Sequence, residues 1–387
     1  MRSRSARGVV VDVGNQWMHD AGGGGSRQHR RRNASHPIGV AEQHRIKAAD
    51  ELLERFMFGK EAHDRRIELQ DAHQVAAGES ALLPIGYCAE WLIGDKPGPR
   101  RLMTSRSTAN EVLVIIGAGG MGLSIARRVG AGRTIVLADV NAAGLNAAAD
   151  ALTSDGHRVL TREVDVTSRR SVAAVAEMAD EAGRVTAVVH TAGLSPQQAP
   201  AEAVLAVDLL GVALSIDEFG RVIEQGGAAV VIASMAGHMQ PALDPAVERQ
   251  LASAPTDELL GLEACSKITD SRIAYPFAKR ANQIRVAAAA GPWGERGARI
   301  NSISPGVIST AMGRLELSSE SGALMQAMVD NSGLRRLGTP EDIAAATEFL
   351  LGPSAAFITG TDLLVDGGVV AAIRTGTIDL AKALAER

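Results

Sequence analysis

A tyrosine and a lysine in this sequence, Tyr275 and Lys279, are four residues apart. On a helix, both side chains would project from the same face. A phenol has a pKa of about 10 and is a poor base at neutral pH, but an adjacent ammonium stabilises its anion. The spacing therefore predicts an acid/base pair suited to moving a proton at an alcohol or carbonyl oxygen. Because the same spacing also arises by chance as a surface pair, the surrounding sequence must decide between the two interpretations.

A glycine-rich turn follows the first apolar strand and precedes a helical stretch; it contains Gly117, Gly119 and Gly122 in a G-x-G-x-x-G pattern. Glycines allow a tight turn and a close approach of backbone N–H groups to a pyrophosphate, while the helix N-terminus favours the anion. Glycine-rich turns are common, so this pattern alone is a weak signal. It predicts a dinucleotide-binding turn if other residues support it.

The next apolar strand ends at Asp139. A carboxylate at this place can accept hydrogen bonds from both hydroxyls of an adenosine ribose, and its negative charge would repel a 2′-phosphate. We therefore expect NAD as the cofactor and regard NADP as the weaker alternative. The competing interpretation is that Asp139 only caps the helix that follows.

Ser234 directly follows the apolar run Ala228–Ala233. In a doubly wound sheet, ligands collect beyond the carboxyl ends of the strands. Hydride transfer at an alcohol carbon leaves a proton to be moved at the oxygen, and one hydroxyl acid/base with a second polarising donor is sufficient for this. Ser234 is thus a candidate donor beside Tyr275, and a metal is not required. The alternative is that Ser234 is simply a turn residue.

These residues lie in a repeating order of strand, turn and helix from Glu111 onward, which predicts an α/β fold of the Rossmann type: a doubly wound parallel sheet of about seven strands. The predicted strands are Val112–Ile116, Thr134–Ala138, Arg158–Thr161, Val185–His190, Ala228–Ala233, Arg299–Ile303 and Asp362–Val365. The predicted helices are Met121–Val129, Ala142–Leu152, Ser171–Ala182, Glu202–Ile223, Tyr275–Ala290 and Pro340–Leu351.

The composition of the 387 residues excludes several classes of protein. The chain is 46% hydrophobic and has a net charge of −4, so neither nucleic acid nor an anionic membrane is an expected partner. No apolar run approaches the roughly 20 residues of a membrane-spanning helix. The two cysteines are too few for a disulfide framework and lack metal-ligand spacing, which favours a cytoplasmic protein.

The first 102 residues differ from the rest of the chain. They contain six of the nine histidines, the basic run Arg30–Arg32 and the glycine run Gly22–Gly25. We expect an extension that is partly disordered and weakly helical, followed by a catalytic domain over residues 103–387. Two alternatives remain open: the histidines bind a metal, or the working protein starts at Met103 and residues 1–102 are not translated.

The motifs of the chain resemble those of the short-chain dehydrogenase/reductase family, in the order expected of its compact branch, over residues 111 to 370. They are Gly117–Gly122, Asp139, Asp165-Val166, His190-Thr-Ala-Gly193, Ser234-Met-Ala-Gly237, Tyr275-x-x-x-Lys279, Asn301-Ser-Ile-Ser-Pro-Gly306, Gly338-Thr-Pro-Glu341, Ile358-Thr-Gly360 and Val365-Asp-Gly-Gly368.

The resemblance implies a role for each catalytic candidate. Tyr275 would be the general acid/base, Lys279 would lower its pKa and hold the nicotinamide ribose, and Ser234 would hydrogen-bond the substrate oxygen. Besides Tyr275 and Lys279, the residues implied to contact the cofactor are Gly117, Gly119, Met121, Gly122, Asp139, Asp165, Val166, Ala192, Gly193, Pro305, Gly306, Ile308 and Thr310. The resemblance also implies a homodimer or homotetramer and a small-molecule alcohol or ketone as substrate.

Three departures from the family pattern stand out. The glycine loop is one residue shorter than usual, and His190-Thr191 replaces a common Asn-Asn pair. Asp208 occupies the position where the family commonly has an Asn that holds a water of the proton relay. An aspartate can also hold a water, but burying its charge near Lys279 costs energy unless the two groups pair. Asp208 is therefore included among the catalytic candidates with its role left open.

An insertion, residues 238–274, separates Ser234 from Tyr275 and is helical in composition. We expect a small helical flap beside the substrate mouth or a subunit interface, with Met239, Leu243, Leu259 and Leu260 as an apolar wall. The alternative is a solvated excursion without a role. The insertion resembles that of bacterial 3α-hydroxysteroid dehydrogenase/carbonyl reductases, which implies a bulky apolar or ring-shaped substrate.

Two other functions remain as alternatives. A catalytically idle NAD-binding sensor or scaffold is suggested by Asp208 and by the unusual amino-terminal segment. A sugar-nucleotide epimerase or dehydratase would use the same Tyr275 and Lys279, but the sequence has no sizeable carboxyl-terminal substrate domain.

Overall fold

The computed structural model of this protein describes residues 110–319 and 321–378. The predictions made for residues 1–102, including the histidine alternatives, lie outside the described residues. The described chain forms a layered α/β structure whose strands and helices alternate as the sequence predicted.

The sheet contains seven parallel strands in the order β3-β2-β1-β4-β5-β6-β7, which confirms the predicted Rossmann-type fold. Its strands are β1 Glu111–Ile116, β2 Thr134–Asp139, β3 Arg158–Glu163, β4 Arg184–His190, β5 Ala228–Ile232, β6 Arg299–Pro305 and β7 Asp362–Val365. The strand order reverses between β1 and β4, and this reversal opens a crevice at the carboxyl ends of the strands where such sheets bind ligands.

Helices cover both faces of the sheet. They are α1 Gly120–Val129, α2 Ala142–Ser154, α3 Arg169–Ala182, α4 Ala201–Leu205, α5 Gly211–Val222, α6 Met235–Met239, α7 Pro245–Ser253, α8 Glu263–Ser266, α9 Ser271–Glu295, α10 Ala311–Leu317, α11 Gly322–Asp330, α12 Pro340–Leu351 and α13 Val369–Arg374. No helix of the described residues is both long enough and apolar enough to cross a bilayer.

The core lies in two layers, one on each face of the sheet. Val112 and Val114 of β1 pack into the layer under α3, α5 and α9, while Leu113 and Ile115 pack into the layer under α1, α2 and α12. Strands buried on both faces read as continuous apolar runs, and for this reason the central strands were visible in the sequence.

The helical run predicted over Glu202–Ile223 is interrupted in the structure. A π-helical turn, Ala206–Leu210, joins α4 to α5 and contains Asp208. π-Helical turns are rare and are frequently found at functional sites, where the wider turn redirects a side chain. Here the turn places Asp208 in the interior, where it is completely buried.

The insertion is helical, as predicted, and consists of α7, a 3₁₀ turn at Thr256–Gly261 and α8. Met239, at its start, lines the cavity described below. The apolar wall predicted from Leu243, Leu259 and Leu260 is wrong, because these three leucines pack instead into a third apolar cluster against α4 and α9. Leucines that face a helix in this way serve the core, and the insertion reaches the cavity only near its two ends, at Met239, Gln240, Pro241 and Arg272.

Candidate active site

Tyr275 and Lys279 project from the same face of α9, as their spacing predicted. Asp270 caps this helix by accepting a hydrogen bond from the backbone N–H of Arg272. The Nζ of Lys279 lies 5.4 Å from the centre of the Tyr275 ring, within the range of a cation–π contact. The two groups therefore form one electrostatic unit.

Asp208 joins this unit from the π-helical turn. Its Oδ2 lies 3.1 Å from the Nζ of Lys279, and its Oδ1 accepts a hydrogen bond of 2.7 Å from the backbone N–H of Leu194. Lys279 is itself buried, with 4% of its surface exposed. The buried carboxylate is thus paired directly with the lysine, which is the condition that the sequence argument set for its burial.

Ser234 stands at the carboxyl end of β5 and caps α6. Its Oγ accepts a hydrogen bond of 3.1 Å from the backbone N–H of Ala236. The Ser234 hydroxyl is close enough to Tyr275 to oppose the rise in its pKa. Ser234, Tyr275 and Lys279 line one cavity, and the capping bond orients the serine hydroxyl.

Burial and neighbouring charges shift the proton affinities at this site. Burial raises the pKa of Tyr275, and the carboxylates of Asp208 and Glu316 add to that rise. The charge of Lys279 and the contact with Ser234 act against it. Burial lowers the pKa of Lys279, but Asp208 and Tyr275 more than compensate, so the pKa of the ammonium is raised overall. Burial raises the pKa of Asp208, although the pairing with Lys279 opposes this.

A cavity of about 450 Å³ opens beside these residues. Ser234, Tyr275, Lys279 and Asp208 line it, as do the predicted cofactor contacts Met121, Gly193, Pro305, Gly306, Ile308 and Thr310. Five further methionines line the cavity, and methionine is a flexible apolar side chain that adapts to irregular ligands. The methionines are Met235, Met239, Met312, Met325 and Met328.

The glycine loop has the close contacts that require glycine. Gly117 has a φ of +104°, and a Cβ on it would lie 2.5 Å from the Oγ1 of Thr191. A Cβ on Gly122 would lie 1.9 Å from the carbonyl oxygen of Gly117. A Cβ on Gly119, in contrast, would meet no atom of the described residues within 4 Å. The loop is tight on its inner side and open at Gly119, which fits a backbone cradle for a pyrophosphate.

Asp139 stands at the end of β2 and contacts the same loop. Its Oδ2 accepts a hydrogen bond of 2.7 Å from the backbone N–H of Ala118, and its Oδ1 accepts one of 2.9 Å from the N–H of Asn141. The cap of α2 is Asn141, whose side chain accepts from the N–H of Gly144. The alternative that Asp139 is itself the helix cap is therefore wrong.

The other predicted cofactor residues lie along the same edge of the sheet. Asp165 follows β3 and accepts hydrogen bonds from the backbone and the hydroxyl of Thr167. Val166 is buried in the core, and Ala192 donates its N–H to the carbonyl of Ile116 at 3.0 Å. Unlike Gly193, these three residues do not line the cavity.

After β6 the chain turns back toward the glycine loop. Thr310 caps α10 by accepting a hydrogen bond of 3.0 Å from the N–H of Gly313. A Cβ built on Gly120 would lie 3.6 Å from the Thr310 methyl group. Ile308 is buried and pairs through its backbone with Gly338. The segment that starts at Pro305-Gly306 therefore lies against the glycine loop at Gly120.

Two residues of the site were missed in the sequence. Glu316 on α10 lines the cavity; burial raises its pKa, while Ser195 and Lys279 act against that rise. Thr191 donates its hydroxyl to the carbonyl of Gly117 at 2.8 Å and so braces the glycine loop. No sequence signal pointed to Glu316, because α10 was not predicted, whereas Thr191 was noted only as a departure from a family pattern.

Comparisons with known proteins identify the family of this chain. A family model described as short chain dehydrogenase matches residues 110–246, and one described as enoyl-(acyl carrier protein) reductase matches residues 260–370. A short-chain dehydrogenase/reductase of Alternaria brassicicola is 41% identical over 271 residues, which are 70% of this chain and 99% of the relative. The D-threitol dehydrogenase of Mycolicibacterium smegmatis is 32% identical over 276 residues, 68% of this chain and 94% of the relative.

Among solved structures, levodione reductase superposes with a TM-score of 0.56 at 26% identity, covering 68% of this chain and 98% of that one. The chain belongs to the short-chain dehydrogenase/reductase family. It is accordingly an oxidoreductase that acts on CH–OH groups, and the family uses NAD(P) as cofactor.

Proposed function

We propose that this protein is an NAD-dependent dehydrogenase/reductase that interconverts a bulky, apolar secondary alcohol and its ketone. The observation that carries the proposal is the meeting of Ser234, Tyr275 and Lys279 at one wall of the cavity. A partly buried phenol with a hydroxyl donor and an ammonium beside it is an acid/base apparatus for an alcohol oxygen.

The residues divide the work at the reacting oxygen. In oxidation, the Tyr275 phenolate takes the hydroxyl proton while Ser234 donates a hydrogen bond that positions the oxygen; in reduction, the Tyr275 hydroxyl returns the proton. The bound nicotinamide cofactor supplies the acceptor or donor of the hydride. Lys279 stabilises the phenolate through its charge.

Asp139 supports the choice of NAD over NADP. Its carboxylate sits at the end of β2, beside the glycine loop, where the adenosine ribose of a dinucleotide lies in folds of this type. A negative charge there accepts hydrogen bonds from ribose hydroxyls and repels a 2′-phosphate. The open space at Gly119 supports passage of the pyrophosphate along the loop.

The cavity wall supports an apolar, ring-containing substrate. Its methionines and Leu324 offer extensive apolar surface, and the volume of about 450 Å³ is in the range of small-molecule sites. We expect higher kcat/KM for cyclic secondary alcohols than for open-chain polyols. Glu316, one of the polar residues in this wall, would accept a hydrogen bond from a second hydroxyl of such a ring.

The test is a panel of secondary alcohols, oxidised with NAD and followed by the absorbance of the reduced nicotinamide. Tyr275→Phe should lower the rate by about 10²–10⁴-fold, because it removes the proton acceptor and leaves the ring in place. Binding of NAD, measured by titration calorimetry, should persist. Tyr87→Phe, which removes the other tyrosine of the chain, is the matched control and should keep the parental rate.

Three results would contradict the proposal. Parental rates in Tyr275→Phe would remove the acid/base, and tight NAD binding without turnover on the whole panel would favour an idle sensor or scaffold. Conversion of a sugar nucleotide without net change of the cofactor would favour the epimerase alternative.

We further propose that the enzyme works as a homodimer or homotetramer in the cytoplasm. The exposed aromatic rings of Phe349 and Phe357 offer apolar surface that a second copy would cover. The scarcity of cysteine supports a reducing compartment. Light scattering of the purified protein tests the assembly.

A further inference from the structure

The carboxylate of Asp208 is a feature of the site that the proposed reaction does not itself require. We propose that Asp208 balances the charge of Lys279 and thereby sets the pH range in which Tyr275 can act as a base. This proposal rests on the catalytic role proposed for Tyr275, although its electrostatic part can be tested without catalysis.

The contact between Asp208 and Lys279 is direct and dry. The Oδ2–Nζ distance of 3.1 Å leaves no room for a water between the two groups. The side chain of Asp208 has no exposed surface, and that of Lys279 has 5%. A Cβ on Gly193 would lie 3.2 Å from Nζ and 3.4 Å from either carboxylate oxygen, so the backbone packs tightly over the pair.

The backbone holds Asp208 in this position. The N–H of Leu194 donates to Oδ1 at 2.7 Å, and the π-helical turn directs the side chain inward. An asparagine at this position can keep the bond from Leu194 through its own oxygen, because that bond needs only an acceptor. Asp208→Asn therefore removes the charge and preserves the shape.

Pairing changes what Lys279 does for the phenol. A lone ammonium stabilises the nearby phenolate as a full positive charge, whereas an ammonium paired at 3.1 Å acts as a dipole, whose field weakens faster with distance. The carboxylate also repels the phenolate directly. Asp208 therefore makes Tyr275 hold its proton more strongly than Lys279 alone would allow.

The other titratable groups near Lys279 and the cavity come from three elements. Glu316 on α10 adds a second carboxylate, which also raises the pKa of Tyr275. His190 on β4 stays neutral, because burial and Lys279 lower its pKa to about 3. Arg272 lines the outer cavity on α9 and forms an ion pair with Asp270 at 2.8 Å. Two carboxylates thus oppose one inner ammonium, and Asp208 is the nearer of the two to Lys279.

The composition of the chain permits a direct measurement. The protein has two tyrosines, Tyr87 and Tyr275, so in a Tyr87→Phe background the single phenol is Tyr275. Its ionisation can be followed in the cofactor-free protein by the ultraviolet absorbance of tyrosinate. Asp208→Asn should move the midpoint to lower pH by about 1 to 2 units, the range typical for a charge within a few ångströms.

Two variants show whether the effect belongs to Asp208. Glu316→Gln should move the midpoint in the same direction by a smaller amount. Asp150→Asn, which neutralises an exposed carboxylate on α2, should leave the midpoint unchanged. Circular dichroism at each pH shows whether the protein is still folded. If the parent unfolds before Tyr275 ionises, the pH of unfolding is a lower bound for the parent's midpoint. A midpoint of Asp208→Asn below that bound then supports the proposal.

A midpoint that is unchanged or higher in Asp208→Asn would overturn the proposal. Asp208→Ser, which is neutral and leaves room for a water, is measured alongside. If the asparagine variant does not fold, the midpoint of the serine variant tests the proposal instead. In active protein, the acidic limb of the kcat/KM profile for alcohol oxidation should shift with the midpoint. A shifted midpoint without any turnover would refute the proposed function and leave the electrostatic role of Asp208 standing.

Discussion

Asp139 illustrates how one side chain can serve both the fold and the recognition of a ligand. Its two carboxylate oxygens accept hydrogen bonds from the backbone of Ala118 and Asn141, and so join the glycine loop to the turn after β2. These bonds orient the carboxylate without neutralising its charge. We therefore expect the charge, rather than the presence of an acceptor, to determine the preference between NAD and NADP.

Asp139→Asn separates these two contributions. The amide oxygen can still accept from Ala118, but the charge that would repel a 2′-phosphate is lost. The ratio of kcat/KM with NAD to that with NADP should fall by about tenfold or more, which is about 1.4 kcal/mol of discrimination. Asp150→Asn serves as the control. An unchanged ratio would mean that another part of the site selects the cofactor.

At the scale of elements, the insertion is attached to the domain by specific contacts. Arg285 of α9 donates hydrogen bonds to the carbonyls of Leu251 and Ala254 and to the hydroxyl of Thr256. Arg169 of α3 forms an ion pair with Asp257 at 3.2 Å. These contacts hold the end of α7 and the start of the 3₁₀ turn, so the middle of the insertion is fixed to the domain. Only its two ends, near Met239 and at Arg272, line the cavity.

Leu259→Ala tests whether the insertion contributes to stability. Leu259 is completely buried between the insertion and α4 and α9, so truncation should leave a cavity and lower the free energy of unfolding by about 2–5 kcal/mol. The neighbouring Leu260 is only partly buried, and Leu260→Ala should cost less. Chemical denaturation measures both. Equal, small losses would indicate a loosely attached flap.

For the whole molecule, a buried histidine makes stability depend on pH. His190 contacts Ser215 through Nδ1 at 3.0 Å, and the Ser215 hydroxyl donates to the carbonyl of Gly211. Because the Ser215 hydroxyl already donates its proton to Gly211, the Nδ1 of His190 carries a proton and donates it to the Ser215 oxygen. Burial, together with the charge of Lys279, lowers the pKa of His190 to about 3.

The sign of the effect follows from linkage. Between about pH 6.5 and 3, the histidine of the unfolded chain binds a proton that the folded chain does not, so the free energy of unfolding falls as the pH falls. One such group contributes at most about 1.4 kcal/mol per pH unit. Urea denaturation across this range should show a shallower pH dependence for His190→Asn. Parallel curves for the parent and this variant would contradict the prediction.

How far the sequence predicts this protein can be judged from particular elements. The central strands and α1 were predicted because apolar runs and glycine turns are local features. Helices α10 and α11 were missed, because they cover the cavity with scattered methionines rather than a regular apolar stripe. The helix predicted over Glu202–Ile223 was correct in position, but its π-helical turn leaves no signature in residue type.

The amino-acid order by itself determined the parallel sheet, the glycine loop at its first turn and the tyrosine–lysine pair on one helix face, because each depends on spacing within a few residues. Only the tertiary structure decided that Asp208 meets Lys279 without a water, that Glu316 enters the cavity and that Leu259 packs into the core. These contacts join residues far apart in the chain, and their distances follow from how helices pack on the sheet, which no local pattern encodes.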